Sequence, residues 1–556
     1  MESAEKPVLV LGAGINGCAI ARELILNNVP VCVVDTADPA RGATSGSSRL
    51  IHGGLRYLEY GEFDLVKESL GERTRLLRLA PQFVRPLRLW IPAENRFGGA
   101  IPAVGKFFGW RWWPQPKRSR GSALVRAGLW FYDAYAQDAT LPKHTCGSIQ
   151  ADGAPRFAQA KYHRLCSYYD GQVSFPERLV LSMLEDARAM AAERGLGFRV
   201  LTYHEARLNG KTVEITPCEG VASPQAGEIE PSLIVNATGA WVDETLQSLR
   251  VDSRRLIGGT KGSHFFSFNP RLLEELQGQG VYAEANDGRP IFITPLDQTV
   301  LIGTTDIAYE GPPQNARATE RELDYLLASV NEILPGVRLE ARDIDFHYCA
   351  VRPLPYSDAA TNAAITRRHS FVDHTNLGVP MISVVGGKLT TMRSLAEQAT
   401  ADVLEHLGRT PTATSQDRPF PGAENYPSGA EAVLAEQQRI AERTGFTLAG
   451  VAETWKLCGT RCEAILSEAA DRELLPGTDL PTAMARWSIA HEHPRTLADL
   501  VERRLVLLYH QRLTAACLRR LAALLAEAGH LAPEEIDQAA SAESDRLQTR
   551  YGKTVS

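Results

Sequence analysis

The sequence lacks several features that would assign it to a particular class of protein. None of its 556 residues belongs to an unbroken apolar run of about eighteen, so no segment is predicted to span a bilayer. The formal net charge is −6, which argues against a nucleic-acid binder held by bulk positive charge. The sequence starts with neither a basic-then-apolar leader nor an Arg- and Ser-rich transit segment, and we therefore expect a cytoplasmic protein.

Signatures of metal sites and of a disulfide framework are also missing. No D-x-D-x-D-G calcium loop occurs, and His491 and His493 are too close in sequence to share one helix face as ligands. No metal site is therefore predicted. The number of cysteines is odd and a chain of this length needs no covalent cross-links, so reduced thiols are expected. The nine cysteines are Cys18, Cys32, Cys146, Cys166, Cys218, Cys349, Cys458, Cys462 and Cys517.

What the sequence does contain begins with a strand–helix–strand pattern typical of dinucleotide binding. Three glycines in the spacing G-x-G-x-x-G open the helix, and the second strand ends in an acid. Such glycines let the backbone approach a pyrophosphate, the helix N-terminus supplies oriented N–H groups, and the acid accepts hydrogen bonds from ribose. An acid there disfavours a 2′-phosphate, so NADP fits poorly. The predicted contacts are Gly12, Gly14, Ile15, Asn16, Gly17 and Asp35.

Later segments favour FAD over NAD. Short hydroxyl side chains follow the first motif closely, a strand ends in "ATG", and "GGKLTT" opens a helix far along the chain. A helix N-terminus aimed at a flavin would stabilise the anionic reduced ring. Cofactor contacts at both ends of a unit spanning residues 1–410 suit the longer FAD molecule better. The further predicted cofactor contacts are Thr44, Ser45, Ser48, Leu50, Gly239, Gly387, Lys388, Leu389 and Thr390.

At this point the sequence resembles a known family. The segments "ATSGSSRLIHGGLRYLEYGEFDLV", "KGSH", "IGTTD", "VRPL", "AITR" and "GGKLTT" occur in the order seen in FAD-dependent glycerol-3-phosphate dehydrogenases, and the similarity covers roughly residues 6–400. The resemblance implies oxidation of sn-glycerol 3-phosphate to dihydroxyacetone phosphate, with electrons passed to a membrane ubiquinone or menaquinone. Since no calcium-binding tail is present, the bacterial aerobic type is the better match.

The same resemblance implies the fold class and organisation. We expect an α/β (α+β) protein with a Rossmann-like FAD-binding domain, an antiparallel-sheet substrate domain and an all-α C-terminal domain. A stretch rich in Pro, Gly, Ser and Thr is the predicted linker, and the helical domain after it is expected to cap the site or to form a homodimer. The predicted boundaries are about 1–80, 163–250 and 345–410 for FAD binding, 81–162 and 251–344 for substrate binding, 411–428 for the linker and 429–556 for the helical domain.

Basic residues in the resembling segments suit a phosphorylated substrate. A phosphomonoester carries nearly two negative charges, so its site needs several cations, and arginine favours bidentate contacts. Any one of these cations taken alone also fits surface charge or ion pairing, and Arg368 competes with its neighbour Arg367. The predicted substrate-binding residues are Arg56, Tyr57, Arg352, Arg367, Lys388 and Thr305.

Two histidines are candidates for the proton transfer that accompanies alcohol oxidation. The flavin N5 takes a hydride from carbon, and the hydroxyl proton needs a base poised near neutral pH. His264 is predicted to lie near the substrate oxygen, with Arg352 orienting or polarising that oxygen, and His52 is the alternative. An isolated histidine is also common in structural roles.

Aromatic and basic residues alternate in "GKFFGWRWWPQPKRSRG", residues 105–121. Aromatic rings favour the headgroup level of a membrane, and each basic residue near an anionic leaflet adds about 1 kcal/mol. The segment therefore suits peripheral attachment to the inner face of the cytoplasmic membrane, or an aromatic cluster folded under a loop. Three alternatives remain open: an oxidase that reduces oxygen, a non-catalytic flavoprotein, and an enzyme acting on a different alcohol or an amine.

Overall fold

A computed structural model describes residues 5–94, 122–136, 138, 140–219, 226–357, 368–375 and 377–556. Its strands are β1 (Val8–Leu11), β2 (Val31–Asp35), β3 (Leu50–Ile51), β4 (Val84–Ala93), β5 (Thr145–Ser148), β6 (Arg164–Val173), β7 (Phe198–Thr202), β8 (His204–Asn209), β9 (Thr212–Pro217), β10 (Gly227–Ile229), β11 (Leu233–Asn236), β12 (Thr260–Ser267), β13 (Gly280–Glu284), β14 (Pro290–Leu296), β15 (Thr299–Gly303), β16 (Ile307–Ala308), β17 (Phe346–Arg352), β18 (Ser370–His374) and β19 (Met381–Val385).

The α-helices are α1 (Ile15–Leu26), α2 (Phe63–Leu79), α3 (Ser122–Ala136), α4 (Pro176–Arg194), α5 (Val242–Ser248), α6 (Pro270–Leu276), α7 (Glu320–Ile333), α8 (Met392–His406), α9 (Ala430–Thr444), α10 (Leu448–Cys458), α11 (Cys462–Ser467), α12 (Thr482–Glu492), α13 (Leu497–Asp499), α14 (Ala515–Glu527) and α15 (Ile536–Tyr551). Short 3₁₀ turns cover Leu55–Tyr60, Gly239–Trp241, Pro313–Asn315, Ala341–Asp343, Gly459–Arg461, Leu507–Tyr509 and Pro533–Glu535, and a π-helical turn covers Leu500–Arg504. No helix in these described ranges is long and apolar enough to cross a membrane.

The first sheet has the order β18-β19-β11-β1-β2-β7. Its strands are parallel except for β18, which runs antiparallel at the edge. The central strands β1 and β11 are buried throughout and are apolar except for Asn236. Helices cover one face of this sheet, and the three-stranded sheet β10-β9-β8 packs with helix α5 on the other. Helix α1 packs between α4 and α8 on one face. Nucleotide ligands bind at the carboxyl ends of such strands.

The second sheet is mainly antiparallel and follows the order β16-β12-β15-β14-β13-β4-β6-β3, with β17 paired to β12 and β5 to β6. Strand β12 is buried at every position, because β17 and β15 flank it and helix α7 packs on it. The loop after β2 runs into β3, so it leads from the first sheet to the second. The predicted fold class is confirmed by these two sheets and by the helices that follow them.

The C-terminal helices share a hydrophobic core with the second sheet. Phe266 of β12 and Phe346 of β17 pack in the same buried cluster as Trp455 and Leu518 of the helices. The 411–428 segment also packs against the first domain, since Phe420 is fully buried and the Arg22 guanidinium lies 4.5 Å from the centre of its ring. These helices therefore pack as one unit with the second sheet.

An ion network also ties the helices to the loop after β2. The Arg503 and Arg504 guanidiniums both pair with the Asp38 carboxylate, and Arg503 also donates to Asp499 at 2.7 Å. All four side chains are at most 5% exposed. The π-helical turn that carries the two arginines thus holds the loop after β2 at Asp38, three residues after Asp35.

The expectation that all cysteines are reduced is wrong. Cys146 and Cys166 form a disulfide, because β5 and β6 pair in a register that places the two residues directly opposite each other. The other seven cysteines are free thiols. Sequence spacing does not reveal this pair, because it depends on strand register.

Candidate active site

A cavity of about 1290 Å³ lies between the carboxyl ends of the first sheet and strands β12 and β17 of the second. Sites for small ligands usually occupy ~300–1,000 Å³, so this cavity has room for a dinucleotide and a substrate together. Its walls come from segments far apart in the chain: the turn after β1, the loop after β2, the turn after β11, strands β8 and β17, and the turn after β19. Among the described residues, no group of three or more potential ligands is arranged to hold a metal ion.

Glycines bring the backbone close together at one end. Gly12 has φ +100°, and a Cβ there would lie 2.8 Å from the Ala237 carbonyl oxygen. A Cβ on Gly17 would lie 1.9 Å from the Gly12 oxygen, so Gly17 allows helix α1 to pack on the turn rather than lining the cavity. This end has the form expected for a pyrophosphate site at a helix N-terminus.

Asp35 stands at the same end. Its carboxylate accepts hydrogen bonds from the Ala13 N–H at 2.7 Å and the Ala37 N–H at 2.8 Å. Burial raises the pKa of Asp35 to about 6, so the side chain is ionised at neutral pH and can accept hydrogen bonds from a ribose.

The start of helix α1 fits a flavin nucleotide. Thr44 accepts a hydrogen bond from the Ile15 N–H at 3.1 Å, which fixes the loop after β2 against the helix. The Asn16 side-chain oxygen is buried and has no hydrogen-bond partner among the described residues. A Cβ on Gly387 would lie 2.5 Å from the Asn16 side-chain nitrogen, so the two predicted cofactor segments meet here. An unpaired buried acceptor that lines a cavity can accept a hydrogen bond from a bound molecule.

The turn after β19 faces residues 52–57. The His52 N–H donates to Thr390 Oγ1 at 3.0 Å, and Thr390 donates back to the His52 carbonyl at 3.3 Å. The Lys388 ammonium lies 3.8 Å from the centre of the Tyr57 ring, a cation–π distance. His52, Tyr57 and Lys388 all line the cavity.

His264 projects from β12 and is 2% exposed. Its Nε2 lies 2.8 Å from Ser48 Oγ, whereas Nδ1 is buried without a hydrogen-bond partner among the described residues. Burial, followed by the positive charges of Arg352 and Arg49, lowers the pKa of His264 to about 3. The ring is therefore neutral at physiological pH. A Cβ on Gly303 would lie 2.0 Å from the ring, which explains the glycine in "IGTTD".

Arg352 ends β17 beside His264. Its guanidinium donates to Asp306 at 3.1 Å, to Thr304 Oγ1 at 2.8 Å and to the Thr305 carbonyl at 2.9 Å. A Cβ on Gly262 would lie 2.1 Å from the guanidinium, so the glycine in "KGSH" makes room for it. The fork is thereby held in a fixed orientation at the cavity wall.

The structure brings most of the predicted site residues to this one cavity. Those that line it are Gly12, Gly14, Ile15, Asn16, Asp35, Thr44, Ser48, Leu50, His52, Tyr57, Gly239, His264, Arg352, Gly387, Lys388, Leu389 and Thr390.

Other predicted residues do not line the cavity. The Ser45 hydroxyl donates to backbone carbonyls of its own loop. Thr305 was predicted to bind substrate, but its hydroxyl donates to buried Glu322 at 2.8 Å and accepts from the Ser263 N–H, so it supports the Arg352 loop instead. Arg367 and the side chain of Arg56 lie outside the described residues, as does the 105–121 segment.

Several large side chains outside the predicted set also line the cavity, among them Arg41, Trp241 and Arg550. Arg41 lies just before "TSGSS" and Trp241 ends "ATGAW", so their positions beside predicted cofactor segments could have indicated that they line the cavity. Arg550 comes from α15, the last helix, and no motif in the sequence indicates its position.

Comparisons with known proteins agree with this geometry. The model of the FAD dependent oxidoreductase (DAO) family matches residues 7–392. A glycerol-3-phosphate dehydrogenase of Synechocystis is 34% identical, covering 89% of this chain and 88% of its own length. A D-erythritol 1-phosphate dehydrogenase of Brucella abortus is 31% identical, covering 89% and 93%. The aerobic glycerol-3-phosphate dehydrogenase of Escherichia coli is 30% identical, covering 90% and 93%.

A solved structure shows the same fold. The glycerol-3-phosphate dehydrogenase from Bacillus halodurans, complexed with FAD, matches with a TM-score of 0.71 at 21% identity and covers 99% of this chain and 96% of that chain.

Proposed function

Because the chain belongs to the family of FAD-dependent oxidoreductases, we propose that it oxidises sn-glycerol 3-phosphate to dihydroxyacetone phosphate. One observation carries the proposal: the cations of Arg352 and Lys388 and the two histidines line the part of the cavity next to the predicted flavin turn. Relatives with more than 30% identity are named for polyol phosphates of three and four carbons, and this cation set suits that substrate class.

Arg352 and Lys388 are the described cations proposed to bind the phosphate or the neighbouring oxygens. The Arg352 fork is already oriented by Asp306 and the 304–305 loop, so little conformational entropy is lost on binding. The Lys388 ammonium lies over the Tyr57 ring at the cavity wall and adds a compact positive charge there. Arg56 and Arg367 remain predicted contributors to the same phosphate site.

Asp35, the Gly12 turn and residues 386–390 would hold FAD, which would supply the hydride acceptor for the alcohol carbon. The alcohol proton needs an acceptor from the protein. His264 is a weak base, because burial and two nearby arginines hold its pKa at about 3. His52 lines the same cavity and is fixed to Thr390 through its backbone, so we propose His52 as the base and a neutral role for His264.

Steady-state kinetics with a substrate series test the proposal. Glycerol 3-phosphate and D-erythritol 1-phosphate should be oxidised, whereas glycerol, which lacks the phosphate, should give no measurable turnover. Equal turnover of glycerol, or preference for an amino acid, would contradict the assignment. The ratio of kcat/KM for the two phosphates would also identify the preferred chain length.

We further propose a membrane quinone as electron acceptor, with attachment to the inner face of the cytoplasmic membrane. The support within the described residues is helix α3, which exposes Trp130 (61%), Phe131 (37%) and Tyr135 (37%) on one side. Large exposed aromatic rings suit the headgroup region of a bilayer. Flotation with anionic vesicles should be reduced for a Trp130→Ala, Phe131→Ala variant. Faster reduction of oxygen than of a quinone analogue would favour the oxidase instead.

A homodimer remains a proposal as well. Light scattering of the detergent-free protein tests it. The proposal predicts twice the mass of one chain, and the mass of a single chain would contradict it.

A further inference from the structure

The two ring nitrogens of His264 have different surroundings. Nε2 lies within hydrogen-bond distance of Ser48 Oγ, at 2.8 Å. Nδ1 is buried and has no hydrogen-bond partner among the described residues. This asymmetry allows the tautomer to be inferred, because each neutral imidazole carries one donor nitrogen and one acceptor nitrogen.

A proton on Nδ1 would be a buried donor without an acceptor. Orphaned buried N–H groups are rarer in proteins than under-satisfied acceptors, so the proton belongs on Nε2. A second proton on the ring is excluded at neutral pH, since burial and the charges of Arg352 and Arg49 lower the pKa of His264 to about 3. The Nε2–H group therefore donates to Ser48 Oγ, and Ser48 is the acceptor in this pair.

The Ser48 hydroxyl then has its own proton to donate. Ser48 lines the cavity, and within the described parts of the chain His264 is the hydrogen-bond partner found for its side chain. A hydroxyl that already accepts from a histidine is a polarised and therefore better donor. Since the ring nitrogen already donates to Ser48, the hydroxyl proton is available to a ligand in the cavity that Ser48 lines.

The neighbouring residues hold this hydroxyl in place. Tyr348 donates to the Ser47 carbonyl. The backbone of Arg49 is left-handed, with φ +57°, and its buried guanidinium pairs with Glu177 at 2.7 Å. The backbone on both sides of Ser48 is thus held in place before any ligand binds, as expected for a preorganised donor.

We infer that Ser48 donates a hydrogen bond to an electron-rich oxygen or nitrogen of the ligand in this part of the cavity, with His264 as the positioning residue behind it. The inference rests on the proposed function for the identity of that ligand. Two sources offer the same acceptor chemistry: the edge of the flavin ring and the alcohol oxygen of the substrate. Both gain negative charge during the reaction, so a fixed donor there stabilises the charge that develops.

The test uses the FAD-loaded parent protein and its Ser48→Ala and Ser48→Thr variants. Ser48→Ala should lower kcat by about 10²-fold, the usual effect of removing one such donor, and Ser48→Thr, which keeps the hydroxyl, should restore most of it. If the acceptor is on the flavin, Ser48→Ala also displaces the flavin absorbance band and makes the midpoint potential more negative without substrate. If the acceptor is the substrate oxygen, the spectrum and potential measured without substrate stay unchanged, while kcat and kcat/KM fall together.

Unchanged kcat, KM, absorbance and potential in Ser48→Ala would overturn the inference. A second measurement does not depend on any variant folding: ¹⁵N NMR of histidine-labelled parent protein should show His264 protonated on Nε2. Protonation on Nδ1 would overturn it, and would instead make Ser48 a donor to His264. The spectral and NMR readouts need no glycerol 3-phosphate, so failure of this substrate to reduce the parent flavin would refute the proposed function alone.

Discussion

The two ends of the cavity are built in different ways. The nucleotide end is built mostly from one stretch, residues 12–44, which contains Gly12, Asp35 and Thr44. The catalytic end gathers His52, His264, Arg352 and Lys388 from four distant segments. A local motif therefore predicts the cofactor end, whereas the roles at the catalytic end depend on contacts that only the fold creates.

The nucleotide end nevertheless depends on a distant region, the turn that carries Arg503 and Arg504. Breaking the pairs between these arginines and Asp38 should have the largest effect on stability. Asp38→Asn removes the carboxylate that pairs with buried Arg504 and one of the three carboxylates that pair with buried Arg503. Breaking a buried pair in this way costs about 3–5 kcal/mol of unfolding free energy. The measurement is the shift in the urea midpoint. Asp417→Asn removes an exposed partner of Arg78 and is the matched control, expected to cost less than about 1 kcal/mol. Equal midpoint shifts for Asp38→Asn and Asp417→Asn would show that the Asp38 network does not anchor the loop after β2.

At the catalytic end, Arg352→Ala should lower kcat/KM for glycerol 3-phosphate by about 10²–10³-fold, as expected when an oriented donor to developing charge is lost. Bound FAD should be retained, because the nucleotide end is untouched. Arg289→Ala removes a half-exposed arginine paired with Asp287 and serves as the control. If Arg352→Ala lost FAD but kept its kcat/KM when saturated with FAD, Arg352 would serve cofactor binding rather than substrate turnover.

Asp35→Asn should produce the opposite pattern. The carboxylate contributes charge-assisted hydrogen bonds worth about 1.5–3 kcal/mol, so FAD affinity should fall about 10–100-fold. Once saturated with FAD, the variant should keep kcat within a few-fold of the parent. Since the pKa of Asp35 is about 6, parent FAD affinity should also decrease below that pH. Fluorescence titration of the apoprotein with FAD measures both, and Asp373→Asn, an exposed carboxylate on the same sheet, is the control.

The smallest expected effect is on the pH dependence of stability. His264 has a pKa of about 3 in the folded protein and about 6.5 when unfolded, so the unfolded state binds an extra proton between these values. Its contribution is fully present above pH 6.5 and is lost as pH falls toward 3, by up to ~1.4 kcal/mol per pH unit. His264→Gln should therefore lose less stability than the parent between pH 7.5 and 5.5, measured by Tm. An equal loss in both would show that folding does not lower the pKa of His264.

The same contrast explains what the sequence could and could not predict. The strand, glycine turn, helix and acid of residues 8–35 follow from local periodicity and spacing, and the structure places them as expected. Thr305 could not be assigned, because only the fold shows Glu322 taking its hydroxyl. The Cys146–Cys166 pair depends on strand register, and the Asp38 network joins residues more than 450 positions apart.

The most direct test of the central claim is an anaerobic titration of the purified, FAD-loaded protein with glycerol 3-phosphate. Our account predicts that the visible flavin absorbance band is bleached as substrate is added, and that glycerol leaves it unchanged. A flavin that stays oxidised in excess glycerol 3-phosphate, in protein that dithionite reduces normally, would contradict the account.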